Sequence, residues 1–146
     1  MLTDATNDDQ IIEEWLVGKA DSTKDEYQRD LEQFRSWAGD HKLQDIRPVV
    51  LQKWEEELRE RYEVSTATRK IQSLKSLLTY AHKTGYIEDN PGRLVQPGPV
   101  PNRFQEHILP PEDVRDIIES TESFFHRTVL MTLYGLGLRA SELVHL

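Results

Sequence analysis

Cysteine is absent from the 146 residues. A disulfide framework, a thiolate metal site and a cysteine nucleophile are therefore excluded. Cations are scarce too: 18 Lys and Arg stand against 26 Asp and Glu, a net charge of -8, which in bulk disfavours a nucleic-acid partner. No apolar run approaches the length of a membrane span, and the first residues are acidic and polar, so a soluble, cytoplasmic protein is expected. The five histidines, His41, His82, His107, His126 and His145, show no ligand spacing, and no metal is expected. What remains, 37% hydrophobic and 30% charged, suffices for one small domain and part of another.

The cations that are present are not spread evenly. From residue 1 to 63 nine basic residues face seventeen acidic ones, and from 104 to 146 three face seven. Between Val64 and Arg103 the balance reverses: Arg69, Lys70, Lys75, Lys83, Arg93 and Arg103 stand against Glu88 and Asp89 alone. A cationic strip within an acidic protein is compatible with DNA binding after all. The surplus carboxylate around it suits a cell interior of very high salt, an expectation that full folding in dilute buffer counts against.

Apolar spacing predicts helices from end to end. Ile11, Ile12, Trp15 and Leu16 recur at helical intervals from about Asn7 to Val17, with Asn7 or Asp8 available as N-cap and Gly18 as the stop. Tyr27, Leu31, Phe34 and Trp37 fall at intervals of four, three and three. They stack on one face of a second helix, from about Ser22 to Gly39, and such a stripe reads as core. A third helix, from Arg47 or Pro48 to Tyr62, takes Pro48 in its first turn and buries Leu51, Trp54, Leu58 and Tyr62. Its other face, with Glu55, Glu56, Glu57, Arg59, Glu60 and Arg61, reads as solvated surface.

The fourth helix, from about Thr66 to Thr84, gathers Ile71, Leu74, Leu77, Leu78 and Ala81 on one side. Opposite lie Arg69, Gln72, Ser76, Thr79 and Lys83, with Lys75 at the edge. Short polar side chains among long cations let a helix approach a duplex groove while the cations reach phosphates on its walls. The pattern alone fits an ordinary amphipathic surface helix equally well. Gly85 and the Asn90-Pro91 turn close this unit.

Gln96 to Arg103 holds three prolines and one glycine in eight residues, the composition of an extended connector. It divides the chain into residues 1–95, a linker over 96–106 and a second unit over 107–146. Pro111, Glu112 and Asp113 belong in the first turn of a helix that buries Val114, Ile117 and Ile118. A further helix from Ser123 to Tyr134 carries Phe125, Val129, Leu130 and Leu133 toward two glycines, Gly135 and Gly137. Both can adopt φ > 0, so the chain can reverse there. Arg139 then lies at or near the mouth of a last helix, where free N–H groups, the helix dipole and a guanidinium together suit a phosphate oxygen. Glu142 is placed to hold the arginine or to cap the helix. A surface arginine with a capping glutamate is the plainer reading.

Several of these stretches resemble one family. Gly137-Leu138-Arg139-Ala140-Ser141-Glu142-Leu143-Val144-His145-Leu146 is similar to the first catalytic box of the tyrosine recombinases, the phage integrase family. Thr23-x-x-x-Tyr27-x-x-Asp30-Leu31-x-x-Phe34-x-x-Trp37 resembles the second helix of that family's core-binding domain, and Ser65 to Gly85 with Asn90-Pro91 resembles its last. The likeness runs in order from about residue 8 to residue 146. It implies an all-α chain: a four-helix core-binding (SAM-like) bundle, a linker, and the first helices of an incomplete catalytic domain.

The resemblance also implies roles. Arg139 would clamp the scissile DNA phosphate, with Glu142 supporting it. Thr23 and Lys24, at the start of the second helix, would approach the DNA backbone. Arg69, Gln72, Lys75, Ser76 and Lys83 would contact DNA from the fourth helix, and Arg103 from the linker that passes around the duplex. The family partner is double-stranded DNA, bound by a homo-oligomer that forms a tetrameric synapse, and no metal or other cofactor is required. The family's chemistry is strand exchange: a tyrosine attacks a phosphodiester to form a 3′-phosphotyrosyl link, which a 5′-hydroxyl later resolves. Two arginines, a lysine and a histidine assist. In family order the other catalytic groups follow the first box. None of Tyr27, Tyr62, Tyr80, Tyr86 or Tyr134 follows Arg139, so these 146 residues are not expected to cleave DNA by themselves.

Two readings of other classes stay open. A helical transcription regulator would insert the fourth helix into a major groove and leave Arg139 idle. A helical adaptor would have no nucleic-acid partner at all.

Overall fold

The computed structural model describes residues 2–39, 41–96, 98 and 108–145. Every regular element among them is helical. The chain divides into two compact units, Met1–Pro101 and Asn102–Leu146.

The first unit holds α1 (Asp8–Leu16), α2 (Asp21–Ala38), α3 (Pro48–Arg61) and α4 (Val64–Lys83), with short 3-10 turns at Leu43–Asp45 and Pro91–Leu94. Asn7 caps α1, its side chain accepting from the N–H of Gln10, which satisfies one of the free donors of the first turn. Pro48 begins α3, where its missing N–H costs nothing. The expected helix ends hold to within about two residues. The fourth helix starts earlier than its apolar pattern suggested, at Val64, whose side chain is half-buried.

Helix α4 is the axis of this unit and packs against α1, α2, α3 and the second 3-10 turn. It has to be, because its apolar face is the widest: Ala67, Ile71, Leu74, Leu77, Leu78 and Ala81 are all buried. Ile71, Leu77 and Leu78 are wholly enclosed, each such side chain stabilising the fold by about 1.5–3 kcal/mol. Facing them are Ile11, Trp15 and Leu16 of α1, Leu31 and Phe34 of α2, and Leu51, Trp54 and Leu58 of α3. Between α2 and α3, Trp54 meets Phe34 edge-on at 5.7 Å and Trp37 at 5.1 Å.

One expectation for this unit needs correction. Tyr62 is not part of the buried stripe. It caps the C-terminus of α3 and is exposed, its hydroxyl accepting from Gln33 Nε2 at 2.8 Å and its ring lying under the Lys70 ammonium at 5.2 Å. The chain after the second 3-10 turn also touches the bundle. Val95 is buried in the core, and the Gly98 N–H reaches Glu55 Oε1 at 3.4 Å.

The second unit contains α5 (Pro111–Ser120), α6 (Phe124–Leu136) and the single turn α7 (Ala140–Leu143). Helices α5 and α6 pack on each other. Arg127 ties them, donating to the terminal carbonyls of α5, Glu119 O at 2.9 Å and Thr121 O at 2.8 Å. None of the described residues of these helices is buried. Val114, Ile118, Val129, Leu130 and Leu133 are half-covered, whereas Ile117 and Phe125, both expected inside, are exposed. Two helices and one turn offer too few neighbours to enclose such side chains.

Candidate nucleic-acid interface

Trp15 explains how the polar side of α4 is built. A buried indole needs a partner for its N–H, and Trp15 Nε1 donates to Ser76 Oγ on α4 at 3.2 Å. Its ring stacks on Tyr27 of α2 at 4.8 Å with 5° between the planes. Three helices therefore meet at one point. Beside it runs an open groove lined by Trp15, Lys19, Gln72, Lys75, Ser76, Thr79, Tyr80 and Lys83.

Among the described residues, three lysines and no carboxylate line this groove in a chain of net charge -8. Glu14, beside the groove-lining Tyr80, is held by the Thr3 hydroxyl at 2.6 Å and approached by the Tyr80 hydroxyl at 3.5 Å. Burial first, then the charge of Glu14 and its hydrogen bond, push the Tyr80 phenol above its ordinary value. It therefore stays a neutral donor across physiological pH.

The residues expected on α4 fall into two groups. Gln72 and Lys83 are exposed and stand ready for a ligand. The other three are half-buried and already engaged. Ser76 accepts from Trp15. Lys75 donates to the Val95 carbonyl, and its stem runs so close to the second 3-10 turn that a Cβ on Gly92 would come within 3.3 Å of Lys75 Cγ. An ammonium has three donors, so Lys75 can pin the chain after α4 and still face the groove.

Arg69 is the most committed. Its guanidinium binds the Asp30 carboxylate of α2 through two nitrogens, at 2.8 and 3.2 Å, with Glu26 a further 3.7 Å contact. Asp30 also accepts from Lys70 at 2.8 Å. The Asp30 side chain is 3% exposed and that of Arg69 is 41% exposed, so the pair joins an interior carboxylate to a cation at the surface. A buried charge of this kind persists only when paired.

On α2, Thr23 and Lys24 lie in the first turn, half-exposed, with Lys24 Nζ 3.3 Å from Asp21. Arg103 lies outside the described residues. Lys19 is the groove residue that the sequence reading missed. Its ammonium sits 5.1 Å from the Trp15 ring and 5.6 Å from the Tyr27 ring. Local spacing gives no hint of this, because the turn that holds Lys19 meets α4 only in the folded bundle.

In the second unit, α6 ends at Gly137 in the left-handed conformation, φ 63°, as the reversal requires. Gly135 does not share that task. It lies within α6 and has no positive φ. Arg139 is the N-cap of α7. Glu142 both holds and caps: it accepts from the Arg139 N–H at 2.7 Å and from Nη1 at 3.0 Å. The arginine side chain is 82% exposed, so its remaining donors are open to an anion. Among the described residues no group of three His, Asp or Glu side chains is placed to hold a metal ion, and no helix is long and apolar enough to cross a membrane.

Residues 15–85 match the family of the phage integrase N-terminal SAM-like domain. Over most of its length the chain is similar to the Xer-like tyrosine recombinases. Among curated relatives, the tyrosine recombinase XerD of Pseudomonas aeruginosa is 32% identical over 90% of this chain and 47% of its own length. Tyrosine recombinase XerC of Thermodesulfovibrio yellowstonii is 27% identical over 86% of this chain and 43% of its own. For XerD of Vibrio vulnificus the figures are 27%, 90% and 46%. The chain thus spans about half the length of the curated relatives it matches. No solved structure matches it.

Proposed function

We propose that this chain is the DNA-binding portion of a site-specific tyrosine recombinase, acting in DNA recombination and integration. The observation that carries the reading is the groove beside α4, where, among the described residues, Lys19, Lys75 and Lys83 gather without a carboxylate in an otherwise acidic protein. Phosphate contacts supply most of the non-specific affinity of DNA-binding proteins, and short polar groups such as Gln72 between cations suit contacts in a duplex groove. Arg69, tethered to Asp30, is a backbone ligand held in one orientation. Thr23, Lys24 and Arg103 are further phosphate contacts.

Arg139 supplies the catalytic side. Its guanidinium, steadied by Glu142, clamps the scissile phosphate and stabilises charge in the transition state. Cleavage proceeds through a tyrosine nucleophile by transesterification, with no metal or nucleotide, within a homo-oligomer on cytoplasmic DNA. The 146 residues alone bind DNA without cutting it.

An electrophoretic shift with labelled duplex, with and without excess unlabelled competitor, tests the binding. A shift that competitor abolishes supports it. Absence of any shift leaves the adaptor reading instead.

A further inference from the structure

We infer that Lys19 is a phosphate ligand of this groove, an inference that rests on the DNA-binding reading above and names a contact it does not require. The turn between α1 and α2 carries Lys19 immediately after Gly18, whose φ is 78°. Its ammonium is then held beside two stacked rings, 5.1 Å from Trp15 and 5.6 Å from Tyr27. Trp15 is fixed in turn by its hydrogen bond to Ser76 of α4. A lysine is ordinarily a point charge on a flexible stem, whereas this one is posted at the edge of the cationic groove on an aromatic support.

The ammonium is otherwise uncommitted. A ring face attracts a cation without consuming its N–H donors; the Lys19 backbone N–H donates to the Leu16 carbonyl at 3.2 Å, but among the described residues its side chain makes no ion pair or hydrogen bond. Carboxylates are abundant in this chain, and Lys24, Arg35, Arg59, Arg61 and Lys70 each have one. Among the described residues Lys19 has none, and neither does the groove lining. An ordered cation with three free donors, facing a groove that holds two more lysines, suits an anion carried by the ligand. The phosphodiester oxygen of a duplex backbone is that anion. Lys19 reaches the groove from the α1–α2 turn and Lys83 from α4, so cations from two separate elements would meet the backbone.

The test compares the full 146-residue chain with its Lys19→Met and Lys19→Arg variants. Met keeps an unbranched stem against the rings and removes the charge, while Arg keeps both charge and ring stacking. Binding to a duplex of random sequence is followed by fluorescence anisotropy over a potassium chloride series, and the thermal midpoint of each variant is recorded. We expect Lys19→Met to bind several-fold more weakly at low salt, with a log–log salt slope shallower by about 0.9, the value for one lost phosphate contact. Lys19→Arg should keep the slope of the parent chain. A variant that merely unfolds lowers the amplitude of binding and leaves its slope alone. A parental slope in Lys19→Met, with or without a loss of affinity, overturns the inference while leaving DNA binding intact. If the parent chain binds no duplex, or binds it without salt dependence, the broader reading falls and this one with it.

Discussion

Lys70 of α4 donates to the buried carboxylate of Asp30 in α2 at 2.8 Å, with side chains 12% and 3% exposed. Removing the acid strands an ammonium in the interior and releases Arg69. Loss of one partner of a buried pair typically costs about 3–5 kcal/mol, and Asp30→Ala should lose that much in urea denaturation. Arg69→Ala should cost about 1 kcal/mol or less, because its guanidinium is partly solvated and Lys70 still neutralises Asp30. A cost below about 1 kcal/mol for Asp30→Ala would contradict the pairing.

Alkaline pH should loosen the first unit through Tyr86. Its hydroxyl donates to Asp8 Oδ1 at 2.6 Å, while Asp8 Oδ2 accepts from the Leu43 N–H at 2.9 Å. Burial, the hydrogen bond and the charges of Asp8 and Asp9 raise the phenol well above its ordinary value, which is about 10. Above that pH the unfolded chain releases the proton and the folded chain keeps it. The associated stability is therefore complete below about pH 10 and lost progressively above it. Tyr86→Phe should cost about 1–2 kcal/mol at neutral pH and flatten the alkaline decline. Thermal midpoints measured from neutral pH upward check both effects, and an equally steep decline in the variant would refute the assignment.

Arg139 and Glu142 form an exposed pair, so they contribute little to folding. Arg139→Ala should leave the thermal midpoint of the 146-residue chain nearly unchanged and weaken duplex binding far less than it slows cleavage. In a recombinase that carries the remaining catalytic groups, the same change should slow cleavage by about 10²–10³-fold, as loss of a transition-state donor does elsewhere. With a suicide substrate, the 146 residues alone should yield no covalent protein–DNA adduct, and any adduct would overturn that expectation.

Lys75 and Lys83 should behave differently when truncated. Lys75 also holds the Val95 carbonyl, so Lys75→Ala should lower stability by about 1 kcal/mol as well as weaken binding. Lys83 is exposed, and Lys83→Ala should weaken binding with no change beyond about 0.5 kcal/mol in stability. Urea denaturation beside anisotropy separates the two effects. Equal stability losses would mean that the anchoring contact does not form in solution.

The helices were legible because their signals are local. Apolar residues at helical spacing, Asn7 as a cap, Pro48 at a first turn and Gly137 at a reversal each act within a few residues. For the same reason the contact between Arg139 and Glu142, three positions apart, could be anticipated. Arg69 was harder, since its partner lies 39 residues away. A hint existed: Asp30 sits three after Tyr27 and four before Phe34, on the very stripe read as core, and a carboxylate there demands a cation. Lys19 left no comparable trace. Only the packing of α1 on α4 brings its turn beside Ser76, and no pattern within either segment encodes that meeting.

Salt dependence of duplex binding, measured for the 146-residue chain and its Lys83→Ala variant, tests the role of the groove. If the groove beside α4 seats a DNA backbone, the logarithm of the association constant should fall linearly with that of salt concentration. The variant's line should be shallower by about 0.9. Binding that ignores salt, or two lines of identical slope, would contradict it.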